Sequence, residues 1–188
     1  MLVNIPQTQT IEQITTTIKQ GRYRSVVFDF DGTLSLIRQG WREIMIPMMV
    51  EILCKLNTNE TQTELETLVI DYVDRLTGKQ TIYQMIQLCE EIQKRGGKAQ
   101  EPLYYKQQFN DQLNSHIKNR IHGLTSGTTT ADDLMVIGTR NLLDNLADRG
   151  LVLYLASGTD EAFVRQEANL LGLTPYFEDR IFGAQDQY

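Results

Sequence analysis

Val26-Val27-Phe28-Asp29-Phe30-Asp31-Gly32-Thr33-Leu34 is the stretch around which the rest of the chain falls into place. Apolar residues lead into an Asp, an aromatic, a second Asp and then Gly-Thr. A short apolar run closed by Gly predicts a buried strand, Ser25–Phe30, that ends in a tight loop. Alternation along a strand puts Asp29 and Asp31 on one side. Two carboxylates at the end of a buried strand repel each other and lose solvation. A divalent cation that prefers oxygen ligands removes this cost, and Mg²⁺ is the usual one. Gly32 permits positive φ and leaves room beside the backbone. The N–H groups that follow, at Gly32 and Thr33, are then free to hold an anion. The alternative is that both Asp residues only cap a strand end or a turn.

Such a site suits phosphoryl transfer. One carboxylate attacks phosphorus and carries an aspartyl-phosphate. The other protonates the leaving oxygen and then deprotonates the water that clears the intermediate. Phe28-Asp29-Phe30-Asp31-Gly32-Thr33-Leu34 resembles the first motif of the haloacid dehalogenase (HAD) superfamily. The resemblance implies Asp29 as nucleophile and metal ligand. It implies Asp31 as acid/base, with its backbone carbonyl on Mg²⁺. True haloacid dehalogenases lack the second Asp, so its presence points to the phosphatase side of the superfamily.

The chain has 188 residues, 41% hydrophobic and 22% charged, with a formal net charge of −6. That predicts a packed soluble fold of one ordinary domain, or of a core with an inserted cap. No Lys/Arg cluster stands out, so no nucleic-acid partner is expected. No apolar run reaches membrane-spanning length, and Met1–Pro6 is not a secretory signal. Cys54 and Cys89 sit in helix-like stretches without the flanks of a disulfide or a catalytic thiol. Buried thiols in a reducing, cytoplasmic setting are expected.

Ile11, Ile14 and Ile18 recur at helical spacing and predict a short helix before Gly21. From Trp41 to about Arg120 the pattern is helical throughout. Ile44, Met48, Ile52 and Leu56 form one stripe, broadened by Met45, Met49 and Leu53. Asn59 or Thr61 caps a second helix with Leu65, Leu68, Val69, Tyr72, Val73 and Leu76 inward and Gly78 as its stop. A third helix starts at Thr81 and stops at Gly96-Gly97. A fourth starts at Pro102 with Leu103, Tyr104, Phe109, Leu113 and Ile117 inward. Gly123 to Asp133 reads as a loop or hinge. His116 and His122 have no partner at metal-ligand spacing and read as surface or packing residues. Arg38 and Arg42 follow the first motif. They either meet a second anionic group on a substrate or are simply solvated, with Trp41 anchoring the core.

Beyond Leu134 a helix with Leu142, Leu143 and Leu146 inward leads to an apolar strand, Leu151–Ala156. A helix between apolar strands is the β-α-β logic of a parallel sheet. Ser157-Gly158-Thr159-Asp160 then opens a helix, a favourable place for phosphate. Ser157 matches the superfamily's second motif, a hydroxyl that hydrogen-bonds the transferring group, with Gly158 beside it. Thr159 and Asp160 read as caps. A third strand is expected at Arg180–Ala184.

The fold expected is α/β: a Rossmann-like parallel core over residues 1–36 and 125–188, HAD-like and truncated, with an all-α cap over 37–124. The superfamily's remaining motifs, a Lys and an acidic pair, have no counterpart after Phe182. A fragment of a longer protein is therefore expected, with a weak metal site. The edge along Val26–Phe28 is expected to be open, covered by Leu2–Ile5 or by a second subunit. The resemblance implies a Mg²⁺-dependent phosphatase, similar to phosphoglycolate phosphatases, acting on a small phosphorylated metabolite. A phosphomutase and a catalytically inactive binding module are the alternatives.

Overall fold

A computed structural model describes residue 21 and residues 23–185. The predicted helix at Ile11–Lys19 and the edge cover at Leu2–Ile5 lie outside the described residues. Strands β1 (Ser25–Phe28), β2 (Val152–Asp160) and β3 (Ile181–Ala184) form a parallel sheet in the order β1-β2-β3. The register sets Phe28 beside Leu155 and Leu155 beside Ile181. Phe28 and Phe177 meet edge to face at 6.2 Å beneath it. Among the described residues β1 has a neighbour on one side only, and Val27 is 66% exposed.

Between β1 and β2 the chain makes α1 (Arg42–Cys54), α2 (Gln62–Leu76), α3 (Thr81–Lys94), α4 (Pro102–Ser126) and α5 (Thr139–Asp148). Helix α6 (Glu161–Leu170) and the short α7 (Thr174–Phe177) join β2 to β3. This is the α/β arrangement expected, with a three-stranded parallel sheet and a large helical insertion. No described helix is long and apolar enough to cross a membrane.

Several local expectations shift. Strand β1 stops at Phe28, because the carbonyl of Phe30 turns to accept from the N–H groups of Thr33, Leu34 and Ser35 at 2.9–3.2 Å. In α1 the deepest residues are Met45, Met49 and Leu53 rather than Ile44 and Ile52, which are partly buried, as is Leu56 beyond the helix end. Thr61 is the α2 cap, in a reciprocal capping box with Glu64. In α4, Leu103 and Tyr104 are exposed, and the inward stripe starts one residue later at Tyr105. The hydroxyl of Tyr105 accepts from the N–H of Gln100, which fixes that phase.

Helix α4 runs past Gly123 to Ser126 instead of giving way to a loop. Gly123 does not stop it. A Cβ there would collide with the hydroxyl of Thr129, so Gly123 is where the returning chain crosses the helix. In α5 only Leu143 is fully buried, and Leu142 is exposed. Strand β2 continues through Ser157 to Asp160, with a register shift against β3 after Ala156. Cys89 is buried, whereas Cys54 is exposed at the end of α1.

Candidate active site

Phe30 is fully buried and anchors the loop after β1. With its neighbour turned inward, Asp29 and Asp31 both come to the same pocket, of about 150 Å³, together with Ser157 and Gly158 at the end of β2. Gly32 and Thr33 do not line it. Gly32 has φ +78° and open space where a Cβ would be. The Thr33 hydroxyl donates to Asp29 Oδ2 at 3.3 Å. His116 and His122 are exposed and away from the pocket lining.

The two carboxylates have different surroundings. Asp29 is exposed, whereas Asp31 is half-buried. Asp31 Oδ2 accepts from Thr159 Oγ1 at 2.7 Å and from Ser157 Oγ at 3.4 Å. Burial pushes the Asp31 carboxyl above the ordinary Asp range, against the pull of Arg38 and of the Thr159 hydrogen bond. A carboxyl whose neutral form is favoured by desolvation is suited to acid/base work.

Arg38 is not solvated, and it lines the pocket with Asp29 and Asp31. It is 4% exposed. Its Nε and Nη2 donate to both oxygens of Glu167 at 2.7–3.2 Å. Its guanidinium lies 5.0 Å from the centre of the Phe163 ring. Desolvation raises the pKa of Glu167 even with Arg38 beside it. Arg42 pairs with Asp74 in a more exposed position.

Thr159 and Asp160 are not caps. Asp160 stands at the N-cap position of α6 but makes no capping hydrogen bond. Its carboxylate instead meets Lys106 and Asn110 of α4. The N–H of Thr159 is taken by Ser157 Oγ at 3.1 Å, so this amide is not free for an anion. Sequence reasoning missed Thr159, Lys106, Asn110, Gln84 and Glu167. For Thr159 the signal was present: alternation from Ser157 puts it on the same side of β2.

A model of the haloacid dehalogenase-like hydrolase family matches residues 23–188. The chain belongs to that family. A comparison with curated proteins finds no match. Among solved structures, a predicted phosphoglycolate phosphatase from Haemophilus somnus is similar over 90% of this chain and 66% of its own, at 15% identity and a TM-score of 0.53. A HAD family hydrolase from Deinococcus radiodurans covers 86% of this chain and 58% of its own, at 17% identity and a TM-score of 0.38. A putative beta-phosphoglucomutase from Thermotoga maritima covers 88% and 62%, at 18% identity and 0.40. The chain thus spans less than two thirds of the length of these three structures.

HAD-like hydrolases typically use Mg²⁺, and the donors here fit that ion. Asp31 Oδ1 is buried with no hydrogen-bond partner among the described residues, and Asp29 brings a second carboxylate to the same pocket. Hard carboxylate oxygens suit Mg²⁺, which keeps several waters when the protein supplies few ligands. Among the described residues no group of three or more His, Cys, Asp or Glu is placed to hold a metal.

Proposed function

We propose that this HAD-like hydrolase is a Mg²⁺-dependent phosphatase of small phosphomonoesters. In this reading residues 1–36 and 125–188 form the catalytic half and residues 37–124 the cap. The observation that carries the reading is the pairing of an exposed carboxylate, Asp29, with a half-buried carboxyl, Asp31, at one pocket. Their environments divide the labour. Asp29 attacks phosphorus and carries the phosphoryl group. Asp31, held towards its neutral form, gives its proton to the departing oxygen and later takes one from water. Thr159 fixes the Asp31 carboxyl in place through Oδ2. Ser157, at the same strand end, is within reach of both Asp31 and a ligand in the pocket. Asp29 and Asp31 would hold Mg²⁺, which would supply charge screening between the anionic nucleophile and the anionic substrate.

The test is phosphate release from a panel of small phosphomonoesters, with and without Mg²⁺. Release is expected only with the metal, and Asp29→Asn is expected to abolish it. Release that survives in Asp29→Asn removes Asp29 as the nucleophile. No release from a chain shown to be folded by circular dichroism points to an inactive binding module.

A further inference from the structure

Gln84 has no role in the chemistry above, yet its position is unusual. It is 4% exposed, on α3, and lines the pocket that holds Asp29 and Asp31. Its side-chain amide makes no hydrogen bond to another described residue, and unlike Gln80 Oε1 it is not sealed from solvent but faces the pocket. An unengaged amide at a pocket wall offers a donor and an acceptor to a ligand.

The neighbours limit what that ligand is. Trp41, Met45, Phe109 and Leu113 give the wall an apolar surface. The buried cations nearby are already matched, Arg38 with Glu167 and Lys106 with Asp160. Lys79 stands exposed on the lining. A carboxylate on the leaving group would enter a pocket that already holds Asp29, Asp31 and Asp160, and would find no buried cation without a carboxylate partner among the described residues. A hydroxyl is both donor and acceptor, as is the Gln84 amide.

We infer that Gln84 is a specificity residue: the pocket takes a small phosphomonoester whose leaving group carries a neutral hydroxyl, bound by the Gln84 amide, and no carboxylate. This rests on the phosphatase reading of the same pocket and narrows its substrate class.

Three esters on one two-carbon frame test it: ethyl phosphate, ethylene glycol monophosphate and phosphoglycolate. They are assayed with Mg²⁺ on the whole chain. Trp41 is the single tryptophan and lines the pocket, so its fluorescence reports binding in the Asp29→Asn variant without turnover. The glycol ester is expected to lead both others in kcat/KM by about tenfold, the scale of one neutral hydrogen bond. In Gln84→Met its lead over ethyl phosphate should fall to about one. A ratio taken within one variant is insensitive to how much of that variant folds, and the wild-type ranking stands without it. Equal rates, a lead for phosphoglycolate, or a preference that survives in Gln84→Met overturns the inference and leaves the phosphatase reading standing. No release and no Trp41 response with any ester takes both down.

Discussion

The helices α1–α4 and the region around the sheet treat buried polarity in opposite ways. Inside the helical insertion the packing is hydrocarbon: Met45, Met49, Leu53, Val69, Val73, Met85 and Leu88 are all essentially inaccessible. Its buried Glu91 is tied to the exposed Lys94 and the half-buried Arg95. Its other buried polar groups, Gln84 and Lys106, lie at or beside the pocket, Lys106 through its ion pair with Asp160. Around the sheet, Arg38, Glu167 and Asp31 are taken out of water together, and burial raises both carboxyl pKa values in spite of the guanidinium. One region is arranged for stability, and the other gives up stability to hold charge in place.

Breaking the charged side should have the largest effect. Glu167→Gln leaves the Arg38 guanidinium buried without its counter-ion, and a loss of about 3–5 kcal/mol is expected from denaturant unfolding. The double change Arg38→Met with Glu167→Leu should recover most of that stability, because an apolar pair of similar volume carries no desolvation cost. No recovery would mean that the pair stabilises the fold in its own right. On the hydrocarbon side, Leu88→Ala should cost about 3 kcal/mol through lost transfer energy and a residual cavity. A value below about 1 kcal/mol would show that the helices are loosely packed.

Two smaller changes sharpen the contrast. Thr61→Ala removes the capping box of α2 and should cost about 1 kcal/mol, with no change in ligand binding at the pocket. Asp31→Asn should have the opposite sign and raise Tm in metal-free buffer. The folded state of the wild type holds the Asp31 proton above the ordinary value of 3.8, so it binds more protons than the unfolded chain in that window. Its stability therefore falls as pH rises from 3.8 through the raised pKa, and stays lower above it. The Tm advantage of Asp31→Asn should grow over that rise and then level off. A variant less stable than wild type at neutral pH would contradict the burial of charge at Asp31.

The same contrast explains what could be read from the chain before folding. The hydrocarbon side was legible because helical periodicity is local: the inward set of α2 and its Gly78 stop match the structure, with Leu68 at the margin. The strand end carrying Asp29 and Asp31 was legible because two acids on an apolar strand are costly enough to stand out. Arg38 was not legible, since its partner Glu167 lies far along the chain and no local pattern joins them. Lys106, Asn110 and Gln84 were hidden for another reason. On a helix a buried polar residue looks like a surface one until the neighbouring element is in place. Phase errors at Tyr104 and at Ile44 arose where several apolar neighbours occur in succession and the stripe is degenerate.

Gly158 bears on the pocket in one further way. The carbonyl oxygen of Lys79, in the turn between α2 and α3, lies 2.5 Å from where a Cβ on Gly158 would stand. Main chain rests on main chain there, with no side chain between. A single added methyl would act as a wedge, lifting the α2–α3 turn from the strand end and widening the aperture beside Ser157. The clearance of the pocket is thus set by a missing carbon atom, and the most conservative replacement at that position is also the one that props the door.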